Sequence, residues 1–250
     1  MHSPFVSFDS ISRNGSRLLK LQSLDDFQSD VKSNTLPQYA HISPNMRNDG
    51  HDTSLQFATS WTRTFLKELL ENKEFMDKTL ILLTYDESET YSIPNHIVSV
   101  LLGGAVPDTL KGTKDDTLYS HYSVLSTLEN NWELPNLGRY DVGANVFKLV
   151  ADKTGYKNHA SDDIAAVNNS LSYGGFLNWN PRKYLPIPPP NLKLIGAGGH
   201  SVADVVQQQW NLAVDDKTPY DGSGHLYDGG DGRTNTNAPQ YKPQAPYTGS

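Results

Sequence analysis

The sequence predicts an α/β fold, and three features predict it. Two short apolar runs, Thr79-Leu80-Ile81-Leu82-Leu83-Thr84 and His96-Ile97-Val98-Ser99-Val100-Leu101-Leu102, have the length and apolar continuity of strands buried on both faces. Amphipathic helical patterns alternate with them. The adjacent acids Asp86 and Glu87 stand directly behind the first run, at the kind of strand end where open α/β sheets bind ligands.

Taken in order, residues 10–30 carry Ile11, Leu18, Leu19, Leu21, Leu24 and Phe27 at irregular intervals, which predicts short helices and turns. Residues 37–44 lie between prolines and read as a strand, followed by the polar loop Asn48-Asp49-Gly50-His51-Asp52. A helix is expected over residues 54–72, with Leu55, Ala58, Trp61, Phe65, Leu69 and Leu70 at helical spacing. The strand over 79–85 comes next, then a polar loop through Pro94, then the strand over 96–102 closed by Gly103-Gly104. A helix over 122–132 begins behind His121, where the positive end of a helix dipole meets anions. A further helix is expected over 141–153, with Val142, Val146, Leu149 and Val150 turned inward. Trp61, Phe65 and Trp132 read as core aromatics.

Beyond Gly155 the texture changes. Pro186-Ile187-Pro188-Pro189-Pro190 should be extended, a short helix fits residues 201–212, and the Gly-, Asp-, Pro- and Asn-rich residues 215–250 are expected to be disordered. The expected organisation is an α/β part over 1–158, an irregular Pro/Gly-rich extension over 159–214 and a tail over 215–250. With 21 Lys and Arg against 28 Asp and Glu, the net charge of -7 argues against a nucleic-acid binder. Cysteine is absent, so neither a disulfide framework nor a thiolate metal site is available. The apolar runs are too short to span a membrane. No signal peptide follows Met1. Asn14-Gly15-Ser16 and Asn168-Asn169-Ser170 are glycosylation sequons, with Asn14 and Asn168 as the acceptors.

Three polar clusters lie about thirty-five residues apart: Asn48 to Asp52, Asp86-Glu87 and Ser120-His121-Tyr122-Ser123. Such spacing suggests one site assembled from successive loops. An acidic chain that handles an anionic substrate needs positive charge, which a divalent cation held by carboxylate, amide and imidazole donors would supply. Plainer readings stand beside this one. Asp86 and Glu87 also fit a cap or solvated loop, and Asn48, Asp49 and Asp52 fit an Asx turn leading into a helix, which leaves His51 unexplained. His121 also fits an ordinary helix start. The remaining histidines have no comparable context. Gly196-Ala197-Gly198-Gly199 lacks the strand and the Lys-Ser/Thr of a phosphate-binding loop, and Ser123 lacks the Gly-x-Ser-x-Gly setting of a nucleophile.

Four motifs, in order and in spacing, carry a resemblance. Pro44-Asn45-Met46-Arg47-Asn48-Asp49-Gly50-His51-Asp52, Thr79 through Glu87, Leu101-Leu102-Gly103-Gly104-Ala105-Val106-Pro107, and His121-Tyr122-Ser123-Val124-Leu125 with Glu129-Asn130-Asn131-Trp132 resemble the phosphoesterase family of secreted fungal, phosphate-repressible acid phosphatases. The resemblance covers residues 2–158. That family is similar to bacterial phospholipases C and has an alkaline-phosphatase-like sheet flanked by helices. The resemblance implies hydrolysis of phosphate monoesters, a small phosphate-ester substrate and secretion. It implies catalytic roles for His51, His121, Asp86 and Glu87, a divalent metal at Asp86, Glu87 and Asp49, and a supporting role for Asn48 and Asp52. The family's Glu-Asn motif and Ser/Thr nucleophile precede the region that matches Phe5. The chain is therefore expected to correspond to the C-terminal half of the fold and to be inactive alone. A phospholipase C-type phosphodiesterase and a non-catalytic truncated duplicate that binds a partner or surface are the alternatives.

Overall fold

The computed structural model describes residues 4–89, 95–160, 189–210 and 218–224. Asn168, Pro186-Ile187-Pro188 and all but a few residues of the expected tail lie outside them. The arrangement is mixed helix and small sheet. It divides into two compact units, Met1–Leu83 with Val100–Pro107 and Thr84–Ser99 with Asp108–Ser250.

In the first unit, the irregular apolar spacing of residues 10–30 becomes three short helices, α1 (Asp9–Ser12), α2 (Gly15–Leu18) and α3 (Leu24–Ser33). Ser23 and Asp26 form a capping box at the start of α3, and Asn34 ends the helix in the left-handed region at φ 54°. This seats Phe27 in the core, stacked on Phe65 at 6.0 Å, which in turn stacks on Trp61 at 5.0 Å. Both partners come from α4 (Leu55–Glu71), where Ser54 caps the N-terminus by accepting from the Phe57 N–H at 3.2 Å. Ala58 and Leu69 are buried on α4, whereas Leu55 and Leu70, expected on the same inner face, are exposed. Asn72 ends α4 and caps α5 (Lys73–Asp77).

Residues 37–44 form no strand. Pro37 and Pro44 remove ladder donors, and no neighbouring strand pairs with the segment. The two expected strands do form and pair, as β1 (Ile81–Thr84) and β2 (Ser99–Leu102), each shorter than the apolar run that encodes it. They are not buried on both faces: Ile81, Leu82 and Leu83 are half-buried, and Thr84, Ser99 and Val100 are exposed. Among the described residues the sheet has only these two strands. Behind β2 the chain makes a close approach that only glycine permits. Gly103 sits at φ +116° with the Thr79 carbonyl where a Cβ would lie, and a Cβ on Gly104 would meet the Met76 carbonyl.

The second unit is built on α6 (Tyr122–Trp132), α7 (Lys148–Thr154) and α8 (Asp204–Trp210). The helix over 122–132 appears as expected. The helix over 141–153 is cut to its second half, although Val142, Val146, Leu149 and Val150 are all buried. Gly143 at φ +90° breaks the helical path, and the Asp141 carboxylate is committed to a turn, accepting from the Leu137 and Arg139 N–H groups at 2.6 and 2.8 Å. Inward-facing valines are therefore placed by an irregular loop.

That loop belongs to a buried polar knot. Asn136, fully buried, donates to the His200 carbonyl at 2.8 Å and accepts from the Gly138 N–H at 2.9 Å. Ser126 donates to the Ala144 carbonyl at 2.8 Å, and Thr127 accepts from the Phe147 N–H at 2.9 Å. Glu129 is 4% exposed and one of its oxygens, Oε2, has no hydrogen-bond partner. Burial first, and the adjacent Asp141 carboxylate second, push its carboxyl up to about 9, so it stays protonated and bonds to Asp141. Gly196 and Gly198 complete the knot: a side chain at either would run into Asn136 or the end of α6.

Two outcomes follow from this packing. Gly103→Ala forces a strained φ and a backbone collision, and should lower stability by about 1–3 kcal/mol in a denaturant titration. Glu129 has its folded-state pKa raised from 4.5 to about 9, so its contribution is complete below pH 4.5 and is lost as pH climbs through about 9. The melting temperature should therefore fall as pH is raised across that window, and Glu129→Gln should flatten the dependence.

Candidate functional site

The Asn48–Asp52 loop belongs to the first unit and is built from nested side-chain turns. Asn45 accepts from the Arg47 and Asn48 N–H groups at 3.0 and 3.1 Å, and the Asn48 N–H also reaches the Asn45 carbonyl. Asp49 then accepts from the His51 N–H at 2.8 Å across Gly50, which lies at φ +97°. The Asp52 N–H returns to the Met46 carbonyl, and the Thr53 hydroxyl to the Arg47 carbonyl at 2.6 Å. The Asx-turn reading thus describes Asp49, while the cap of the following helix is Ser54. His51 is explained by Asp52: its Nδ1 lies 3.1 Å from Asp52 Oδ1, with both side chains more than half exposed.

The other three candidates belong to the second unit. At the end of β1, Thr84 Oγ1 lies 2.7 Å from Ser99 Oγ, and the chain turns through Tyr85 to Asp86. Asp86 Oδ1 accepts from the Glu87 N–H at 3.0 Å. The Asp86 carbonyl oxygen receives the His121 Nε2 at 2.7 Å and the Asn95 Nδ2 at 3.3 Å, and Asn95 Oδ1 accepts from the Ser88 N–H at 2.6 Å. Asp86, Glu87 and His121 are all exposed.

His121 is the residue that opens α6, so the positive end of that helix dipole lies at the imidazole. A peptide carbonyl can only accept, so Nε2 must carry the proton that bridges to Asp86. Nδ1 is then the atom left for chemistry: a lone pair when the ring is neutral, an N–H when it is charged. Ser123, in the first turn of α6, is fully buried and accepts from the Ser120 N–H at 3.1 Å, so its hydroxyl is not presented as a nucleophile.

The structure therefore brings together His121 and Asp86, with Glu87 next in the chain, and separately pairs His51 with Asp52. Asp49 belongs to a different unit from Asp86 and Glu87, and among the described residues no group of three or more His, Cys, Asp or Glu side chains is gathered to hold a metal ion. Asn95 was not foreseen. Its one signal in the sequence is its place behind Pro94 at the close of the polar loop, a common turn signature.

An imidazole anchored to the backbone of an acidic turn just past a strand end is the kind of group that acid–base chemistry on a polar substrate uses. The chain belongs to the Phosphoesterase family, whose model matches residues 6–135. It is 48% identical over 84% of its length to a probable acid phosphatase of Kluyveromyces lactis, covering 48% of that protein. It is 45% identical over 84% of its length to an acid phosphatase of Aspergillus fumigatus, covering 47% of it, and 44% identical over 83% to an acid phosphatase of Aspergillus niger, covering 50%. The chain spans about half the length of the curated relatives it matches. No solved structure matches it. No described helix is long and apolar enough to cross a membrane.

The exposed His51–Asp52 pair tests whether that loop is held by its acids or by its backbone turns. Asp52→Ala should change stability by less than about 1 kcal/mol, because solvent screens the pair and the backbone bonds persist. Chemical denaturation measures this directly.

Proposed function

We propose that this chain carries part of an acid phosphatase site that hydrolyses small phosphate monoesters. The observation that carries the reading is the high identity to acid phosphatases over more than four-fifths of the chain, and the geometry of His121 supplies a chemical role. In acid, the imidazolium has an N–H at each ring nitrogen. Nε2 is spent on the Asp86 carbonyl, and Nδ1 donates to a phosphoryl or leaving-group oxygen as negative charge develops there. The helix dipole behind His121 favours the same anion.

Asp86 and Glu87 would repel a phosphate ester brought against them, and a divalent cation held by these carboxylates would supply the positive charge that offsets the repulsion. That cation rests on charge alone. In the same reading His51, oriented by Asp52, is a second proton-handling group, and Asn48 and Asp49 shape its loop. An alkaline-phosphatase-like sheet flanked by helices and a secreted, glycosylated protein complete the proposal. Its support on the surface is Asn14, which is exposed and whose Oδ1 accepts from the sequon's own Ser16 hydroxyl at 2.8 Å.

The test is turnover of an aryl phosphate monoester at acidic pH by the intact protein, with Asp86→Ala and His121→Ala alongside. Each substitution should lower kcat by at least about a hundredfold, the usual scale of a lost acid–base group. Melting should be nearly unchanged, because both side chains are exposed. Wild-type-like turnover in both variants would remove these residues from the site. Faster hydrolysis of a bis-aryl diester than of the monoester would move the assignment to the phospholipase type.

A further inference from the structure

We propose that Asn95 is the positioning residue of this site: it holds the Asp86–Ser88 turn so that the Asp86 carbonyl keeps the His121 proton on Nε2 and leaves Nδ1 to the ligand. The inference rests on the functional reading above for what Nδ1 does, and on geometry alone for how the ring is held.

Asn95 precedes β2 and bonds to the acid loop in both directions. Its Oδ1 accepts from the Ser88 N–H at 2.6 Å and its Nδ2 donates to the Asp86 carbonyl at 3.3 Å. The orientation of the amide is settled by chemistry, because an N–H cannot face an amide nitrogen and a carbonyl cannot face an amide oxygen. One planar group thus fixes both ends of a three-residue turn. The carbonyl it fixes is the one that receives His121 at 2.7 Å, and its two lone pairs are used by these two donors. If the turn rotates, that carbonyl leaves the imidazole, and the ring loses its preference between the two neutral tautomers. The carboxylates of Asp86 and Glu87 move with it. Aspartate at this position would still accept from Ser88 but would set a charged oxygen against the Asp86 carbonyl, whereas alanine would release both ends.

The tautomer is read directly by long-range nitrogen–proton NMR on the chain labelled at histidine nitrogen, with the His121 signals assigned through His121→Gln. At a pH where the ring is neutral, the wild-type chain should show His121 mainly as the Nε2–H form. A dominant Nδ1–H form overturns the proposal without any variant. In Asn95→Asp and Asn95→Ala the ratio of Nε2–H to Nδ1–H should fall several-fold while amide signals outside the loop stay in place. An unchanged ratio in both variants overturns it too. Inorganic phosphate then separates the two claims. If phosphate shifts the Nδ1 resonance of the wild-type chain, both stand. If phosphate leaves it unmoved while the ratio still depends on Asn95, the positioning role stands and the phosphatase reading falls.

Discussion

Much of the second unit is organised by one unfavourable burial, that of Glu129. A carboxyl that is 4% exposed cannot keep a charge, and its neighbour is another acid. The arrangement is tolerable because Glu129 keeps its proton, while the side-chain oxygens of Asp141 accept from the Leu137 and Arg139 N–H groups. Asn136 extends the same network to the His200 carbonyl, and glycines at 196 and 198 let that strand of chain lie directly on the end of α6. The C-terminal end of the helix is therefore clamped. A clamped helix has a defined opposite end, and that end carries His121. The ring's placement is inherited from packing about two turns away.

In the first unit the corresponding constraint is backbone against backbone. Gly103 and Gly104 bring the chain after β2 onto the carbonyls of Thr79 and Met76, and the Gly104 N–H donates to Met76 at 2.8 Å. This ties the approach to β1 and the exit from β2 into one piece. The approach occurs through bare backbone, so aliphatic side chains are not needed to secure it. That matters for a sheet whose residues are no more than half-buried.

The legible parts of the fold were those with a local cause. The helix over 122–132 was readable to the residue, because periodic apolar positions and a polar start coincide there. Strand existence was readable from the apolar runs, but their burial was not, since covering both faces depends on partners elsewhere in space rather than on the run itself. The helix over 141–153 failed at Gly143 and Asp141. Apolar spacing of Val142 and Val146 matched helical periodicity by coincidence, while their burial came from a loop pinned by side-chain bonds that no periodicity records. Residues 37–44 failed because a strand needs an edge to join. Among the site candidates, Asp86 and His121 were legible as residue types in a suggestive order. What could not be read was the atom that joins them. A motif of two acids and a histidine invites a carboxylate–imidazole pair, and that pairing does occur, but between His51 and Asp52.

At Asp86 the contact is made by the peptide carbonyl instead, and this difference has chemical weight. A carboxylate bonded to an imidazole spends its charge on the ring and favours the imidazolium outright. A carbonyl orients the ring and fixes its tautomer while spending no charge. The Asp86 carboxylate spends one oxygen on the Glu87 N–H and none on the ring. One residue thus makes two kinds of contact through two different groups, its backbone carbonyl to His121 and its carboxylate to the Glu87 N–H. That division requires the backbone turn to be rigid, because rotation of a single peptide would move both functions together. The demand falls on the groups that bind the turn from outside, and the amide of Asn95 meets it at both ends.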